Sequence, residues 1–166
     1  MNIRSAVLEG INILKARSIL TAQLDSEILM AKSLGTNREY IILNNDKNLE
    51  DKDLKNFLSL IKKRASRKPI AYIVNKKYFW KNEFYVNKNT LIPRPDTELI
   101  VEQVLNLTKN KNKYSILDIG VGSGCILLSI LKERKNFYGT GIDICKNSLN
   151  ICKMNAKKLL LERRMK

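Results

Sequence analysis

Three glycines at alternate positions, Gly120, Gly122 and Gly124, follow the run Ile116-Leu117-Asp118-Ile119 and precede Cys125-Ile126-Leu127-Leu128. Glycine reaches positive φ without a Cβ penalty and lets another group approach the main chain closely. The pattern reads as a strand that delivers a glycine loop to a helix start, where the first amides lack intrahelical partners. A second strand is expected from about Phe137 to Ile144, with Asp143 near its end, 19 residues after Gly124. Two strands joined by a helix make a βαβ unit, expected to be parallel and right-handed.

The glycine spacing narrows the ligand. A dinucleotide fingerprint is G-x-G-x-x-G, with its third glycine three places after the second. Here that place holds Cys125, and the glycines fall as G-x-G-x-G. The loop also lacks G-K-[ST], so it is not a Walker phosphate loop. Asp118, two residues upstream of the first glycine, suits a ligand carrying an ammonium and a sulfonium better than a pyrophosphate. An acidic residue at the position of Asp143 accepts hydrogen bonds from ribose hydroxyls in doubly wound sheets. The bland alternatives are a glycine turn without a ligand and an Asp that caps the next helix. Asp118, the loop and Asp143, each in its expected context, favour the binding site.

Upstream, the chain reads as helical to about Arg67. Ile3, Val7, Ile11 and Leu14 recur at helical spacing. Leu24, Ile28 and Ala31 mark a second helix, with Gly35 as its stop. A short helix is expected over Arg38 to Leu43. Leu54, Phe57, Leu58, Ile61 and Ala65 give a fourth amphipathic face, and Pro69 ends the pattern. From Ala71 to Ile92 β-forming residues dominate, and a hairpin with Lys81-Asn82 near its turn fits. Its aromatic residues read as a packed hairpin rather than a base-stacking surface, since no Arg/aromatic alternation accompanies them. Two prolines hold Pro93-Arg94-Pro95 extended, and Asp96 or Thr97 is placed to cap the following helix. A last helix is expected from near Ser148, with Leu149, Cys152, Ala156 and Leu159 on its apolar face.

Composition excludes several chemistries. The 166 residues contain no histidine, which removes Ser-His and Cys-His nucleophile schemes. Three cysteines without a C-x-x-C give neither a disulfide framework nor a zinc site, and no metal site is expected. The longest uncharged apolar stretch, Cys125 to Leu131, is too short to span a bilayer. The N-terminus carries no signal-peptide pattern, so a cytoplasmic location is expected. A net charge of +15 comes from scattered lysines that outnumber arginines 22 to 9. That reads as compositional bias before it reads as a nucleic-acid surface, and it licenses only a solubility and steering argument.

With these motifs in place, the sequence resembles the HemK-type glutamine methyltransferases of peptide chain release factors. Leu24 to Leu29 and Gly35 to Arg38 resemble part of that family's helical domain, and Arg67 to Ile73 with Tyr78-Phe79-Trp80 resemble its linker. Leu91-Ile92-Pro93-Arg94-Pro95-Asp96-Thr97-Glu98 is the most specific match. The resemblance implies an α/β class I methyltransferase fold, Rossmann-like, of which only the first two strands are present. It implies an N-terminal helical substrate-docking domain (1–70), a β-hairpin linker (71–92) and an incomplete methyltransferase domain (93–166). It implies S-adenosyl-L-methionine as cofactor, held by Gly120, Val121, Gly122, Ser123 and Gly124, with Asp143 on the ribose. The partner implied is a release factor, methylated on the glutamine amide of its Gly-Gly-Gln motif.

Two departures stand out. Val121 replaces the threonine common in the loop, and the family's Asn-Pro-Pro-Tyr is absent, so no catalytic residue is assigned. In the family that segment holds the acceptor amide. The chain is therefore expected to be a C-terminally truncated member, with Ile116, Leu117 and Ile119 partly exposed, and a separate chain carrying the missing C-terminal half is among its expected partners. The competing functions are a nucleic-acid amino-methyltransferase fragment, against which Pro93 to Glu98 argues, and a non-catalytic release-factor-binding remnant.

Overall fold

Helix signals in the first half of the chain become five helices in a computed structural model that describes residues 1–166. They are α1 (Ile3–Lys15), α2 (Ala22–Leu34), α3 (Arg38–Leu43), α4 (Asp51–Ala65) and α5 (Ile70–Val74). Together they form one compact unit, Met1–Val74. Asn2 starts α1 by accepting from the Ser5 amide at 2.9 Å, and Asn37 does the same for the Tyr40 amide of α3. Gly35 ends α2 at φ 65°, and the next amide, that of Thr36, donates to the Ala31 carbonyl at 2.9 Å.

The core of this unit gathers Ile3, Leu14, Leu29, Met30, Phe57 and Ile61. The α2 face differs from the expected one. Leu24 is exposed, whereas Asp25, Ser26 and Glu27 are buried. Each buried polar group has a partner. Arg64 donates to Asp25 at 2.7 Å, Ser26 Oγ donates to the Val7 carbonyl at 2.9 Å, and Arg38 pairs with Glu27. Burial without such partners would cost several kcal/mol.

The β-forming residues Tyr72, Ile73 and Val74 were expected in the hairpin region. They lie in α5, whose Tyr72 and Ile73 amides both donate to the Pro69 carbonyl. Proline suits the start of a helix, and burial of Ala71, Ile73 and Val74 outweighs their strand propensity.

The second unit spans Asn75–Lys166. It opens with a hairpin of β1 (Lys76–Phe79) and β2 (Asn82–Tyr85), joined by Trp80-Lys81 with Trp80 at φ 55°. Phe79 and Phe84 are fully buried and meet edge to face, with ring centroids 6.3 Å apart. The hairpin packs into this unit's core, against the helices that follow.

The expected cap before α6 (Glu98–Leu107) is not there. A 3₁₀ turn, Pro95–Thr97, leads into the helix, and neither Asp96 nor Thr97 makes a side-chain cap. Thr97 already has helical backbone angles, so its hydroxyl is not placed as a cap requires. The Glu98 carboxylate instead accepts the Trp80 amide at 2.8 Å, fixing the helix start to the hairpin turn. The Trp80 indole N–H donates to Glu133 at 2.9 Å.

The remaining elements are β3 (Tyr114–Ile119), α7 (Cys125–Glu133), β4 (Phe137–Ile142) and α8 (Lys146–Lys158). β3 and β4 pair in parallel, Tyr114 opposite Phe137 and Ile119 opposite Ile142. Gly139 lets α7 approach, since a Cβ there would stand 2.6 Å from Leu127 Cδ1. On the other edge of β4, Gly141 donates to the Lys166 carbonyl and Lys166 donates to the Gly139 carbonyl. One sheet face is covered by α7. The other carries Leu117 and Ile119, 59% and 75% exposed, beside Tyr138 and Ile142, while Ile116 is half-buried.

Gly10 offers a stability test of the helical unit. A Cβ there would sit 2.5 Å from Ser26 Oγ and 2.7 Å from Phe57 Cζ. Alanine improves helix propensity by about 1 kcal/mol, but overpacking costs about 1–3 kcal/mol. Gly10→Ala is expected to be net destabilising in urea unfolding of the full chain. A stabilised variant would mean that α1 is not wedged there.

Candidate functional site

The loop between β3 and α7 adopts the backbone that its glycines allow. Gly120, Gly122 and Gly124 sit at φ 81°, 55° and 80°. They differ in surroundings. Apart from the glycine and its chain neighbours, no heavy atom lies within 4 Å of the Cβ position of Gly120, and at Gly122 only the Gly120 carbonyl oxygen does, at 3.8 Å. Gly124 faces inward, where a Cβ would stand 2.6 Å from Cys152 Sγ and 2.9 Å from Leu128 Cδ1. The first two glycines leave open space for a ligand, and the third lets the helix start pack on α8.

Val121 and Ser123 are buried. Val121 packs against Gly141, whose own Cβ position would be 2.9 Å from Val121 Cγ2. Neither side chain is presented to solvent, so only their backbone groups could reach a ligand in the loop.

Hydrogen bonds fix the loop from several sides. The amides of Gly120 and Val121 both donate to the Ile142 carbonyl, at 2.8 and 2.9 Å. Asp143, just past the end of β4, accepts the Gly122 amide on Oδ2 at 2.9 Å and the Cys145 amide on Oδ1 at 2.8 Å. Asp143 thus joins the loop to the start of α8, and a carboxylate with two acceptor oxygens keeps lone pairs for a further donor. Asn155 on α8 donates to the Ser123 carbonyl at 2.8 Å. Sequence reading did not single Asn155 out. The available signal was a polar residue on the buried face of α8, which runs through Ser148, Ile151, Cys152, Asn155 and Ala156.

Two acidic groups charge this edge. Burial holds the Asp118 carboxyl above its ordinary range; the Leu127 amide works against that, and the Asp143 charge adds to it. The Cys152 thiol beneath Gly124 is pushed up to about 12, first by burial and then by Asp118, so it stays protonated and unreactive at neutral pH. No group of histidine, cysteine or acidic residues is placed to hold a metal ion, and no helix is long and apolar enough to cross a membrane.

The site therefore combines an open glycine backbone, an anchored carboxylate and a second, partly desolvated carboxylate. A ligand with cationic centres and paired hydroxyls fits this donor and acceptor set. The architecture is a βαβ module of the sort used in doubly wound α/β domains, preceded by a helical unit.

Comparison with known proteins shows similarity along most of the chain. Residues 5–74 match the PrmC N-terminal domain. A release factor glutamine methyltransferase of Caulobacter vibrioides is 36% identical over 151 residues, covering 91% of this chain and 52% of the relative. One of Shewanella oneidensis is 38% identical over 147 residues, covering 89% and 51%. One of Clostridium acetobutylicum is 36% identical over all 166 residues, or 58% of that protein. Over most of its own length this chain is similar to release factor glutamine methyltransferases, and it spans about half the length of these relatives.

The raised Asp118 carboxyl yields a prediction. A carboxyl with a raised folded-state pKa contributes stability below its unfolded value and loses it as pH rises through the folded value. Asp118→Asn should therefore raise the melting temperature at pH 7 more than at pH 4. Thermal unfolding at the two values checks it, and an equal change at both would contradict the assigned burial.

Proposed function

We propose that this chain binds S-adenosylmethionine at the β3–α7 loop and serves S-adenosylmethionine-dependent methylation of the glutamine amide in the Gly-Gly-Gln motif of release factors. The observation that carries the reading is the open backbone at Gly120 and Gly122 beside Asp143. The family's relatives, named for glutamine methylation of release factors, support the substrate class. The second unit is read as part of a class I methyltransferase fold, and the protein as cytoplasmic.

In this reading Gly120 to Gly124 present backbone groups to the ligand, with Gly120 and Gly122 giving it room. Asp143 accepts from the ribose hydroxyls while it holds the Gly122 amide. Asp118 favours the ligand's cationic end by Coulomb attraction in a partly desolvated setting. When bound, S-adenosylmethionine supplies a methyl group on a positively charged sulfur. An amide nitrogen is a poor nucleophile, so holding donor and acceptor in line would provide much of the rate. This chain's residues are assigned the donor side of that arrangement, and no residue of it is assigned to hold the glutamine.

Calorimetry on the full chain tests the reading. Micromolar binding of S-adenosylmethionine is expected. Asp143→Ala should weaken it by about 1–3 kcal/mol, since buried hydroxyl donors and the Gly122 amide lose their acceptor. Affinity should fall as the solution is acidified through the raised Asp118 titration. Absence of binding, or an unchanged dissociation constant in Asp143→Ala, would overturn the assignment. Transfer of labelled methyl to a release factor, measured on the same preparation, tests the substrate separately.

A further inference from the structure

Asn155 has contacts that helix packing alone does not require. Its side chain is 1% exposed, yet it is a polar amide in the apolar face of α8. Oδ1 accepts the Tyr85 amide at 2.7 Å, and Nδ2 donates to the Tyr85 carbonyl at 3.0 Å. The amide therefore extends β2 as another strand would. That pair of bonds also fixes which end of the side chain is oxygen and which is nitrogen. The second Nδ2 proton goes to the Ser123 carbonyl.

Ser123 lies between Gly122, whose Cβ position is open, and Gly124, whose Cβ position is crowded. Its carbonyl shares a planar peptide unit with the Gly124 amide, which donates to the Val121 carbonyl at 2.8 Å. Holding the Ser123 oxygen thus sets the plane of the peptide that turns the loop into α7. Asp143 holds the Gly122 amide. The turn is gripped at adjacent residues, by a carboxylate at Gly122 and by a carboxamide at Ser123.

We propose that Asn155 is a positioning residue for the cofactor loop, setting the Ser123–Gly124 peptide and tying its orientation to the β-hairpin through Tyr85. This rests on the reading of the loop as the S-adenosylmethionine site. The alternative is that Asn155 merely fills the space between α8 and β2. A side chain with that role alone would have no need of the third hydrogen bond. Replacing it would lower stability without altering the loop.

Thr108 provides the control. It is another buried polar group in the second unit, and its hydroxyl donates to the Val104 carbonyl at 2.6 Å, at the end of α6. Asn155→Ala and Thr108→Ala in the full chain are compared by amide chemical shifts of Gly122, Ser123 and Gly124, and by calorimetry with S-adenosylmethionine. Asn155→Ala is expected to shift the three loop amides and to raise the dissociation constant about tenfold, the scale of one lost buried hydrogen bond. Thr108→Ala should leave the loop amides in place and the constant within about twofold, for want of any bond to the loop. Asn155→Ser, which keeps a small polar group on α8, gives the same comparison where the alanine variant does not fold. Unmoved loop amides in a folded Asn155 variant, or equal losses of affinity in the Asn155 and Thr108 variants, would overturn the proposal. Failure of the unsubstituted chain to bind S-adenosylmethionine would overturn the cofactor reading instead, and the loop amides would still decide whether Asn155 sets the loop.

Discussion

The Asp143 carboxylate joins the parts of the second unit on which its site depends. One oxygen accepts the Gly122 amide and the other accepts the Cys145 amide. The first bond fixes the middle of the glycine loop. The second turns the chain from β4 into α8. A charged acceptor makes stronger hydrogen bonds to amides than a neutral one. With that carboxylate in place, β3, α7, β4 and α8 share one corner, and the backbone at Gly120 and Gly122 faces open space.

Close packing lies beneath the loop. Gly139 and Gly141 lack side chains where Leu127 and Val121 press on β4, and Gly124 lacks one where Cys152 and Leu128 press on the helix start. Here glycine serves two purposes. At Gly124 both the positive φ and the contact distances exclude a side chain. At Gly120 the φ alone excludes it, and the vacant space is what a ligand would use. The Asn155 amide completes the corner from the α8 side, while Glu98 and Glu133 fasten the hairpin turn at Trp80.

What was legible in the sequence was what is local. The glycine loop, the two strands, the stop at Gly35 and the position of Asp143 all follow from residues close to one another along the chain. The parallel pairing of β3 and β4 follows from their link through a helix. What was not legible depends on partners distant in sequence. Asp25 is buried because Arg64, on another helix, reaches it. Asn155 is buried because Tyr85, 70 residues earlier, offers both backbone groups. Tyr72, Ile73 and Val74 have strand-forming side chains, but Pro69 and the surrounding core place them in a helical turn. The inward position of the Val121 and Ser123 side chains was also hidden. An alternating glycine pattern does not say which way the intervening side chains point.

The central claim is that the open backbone beside Asp143 holds S-adenosylmethionine. The most direct measurement is a map of backbone amide shifts in the full chain as S-adenosylmethionine is added. The account predicts saturable shifts centred on Gly120, Gly122 and the Asp143–Cys145 turn, with the buried Leu127–Leu131 amides of α7 moving far less. Saturable shifts centred elsewhere, or no shift at these residues at millimolar ligand, would contradict it.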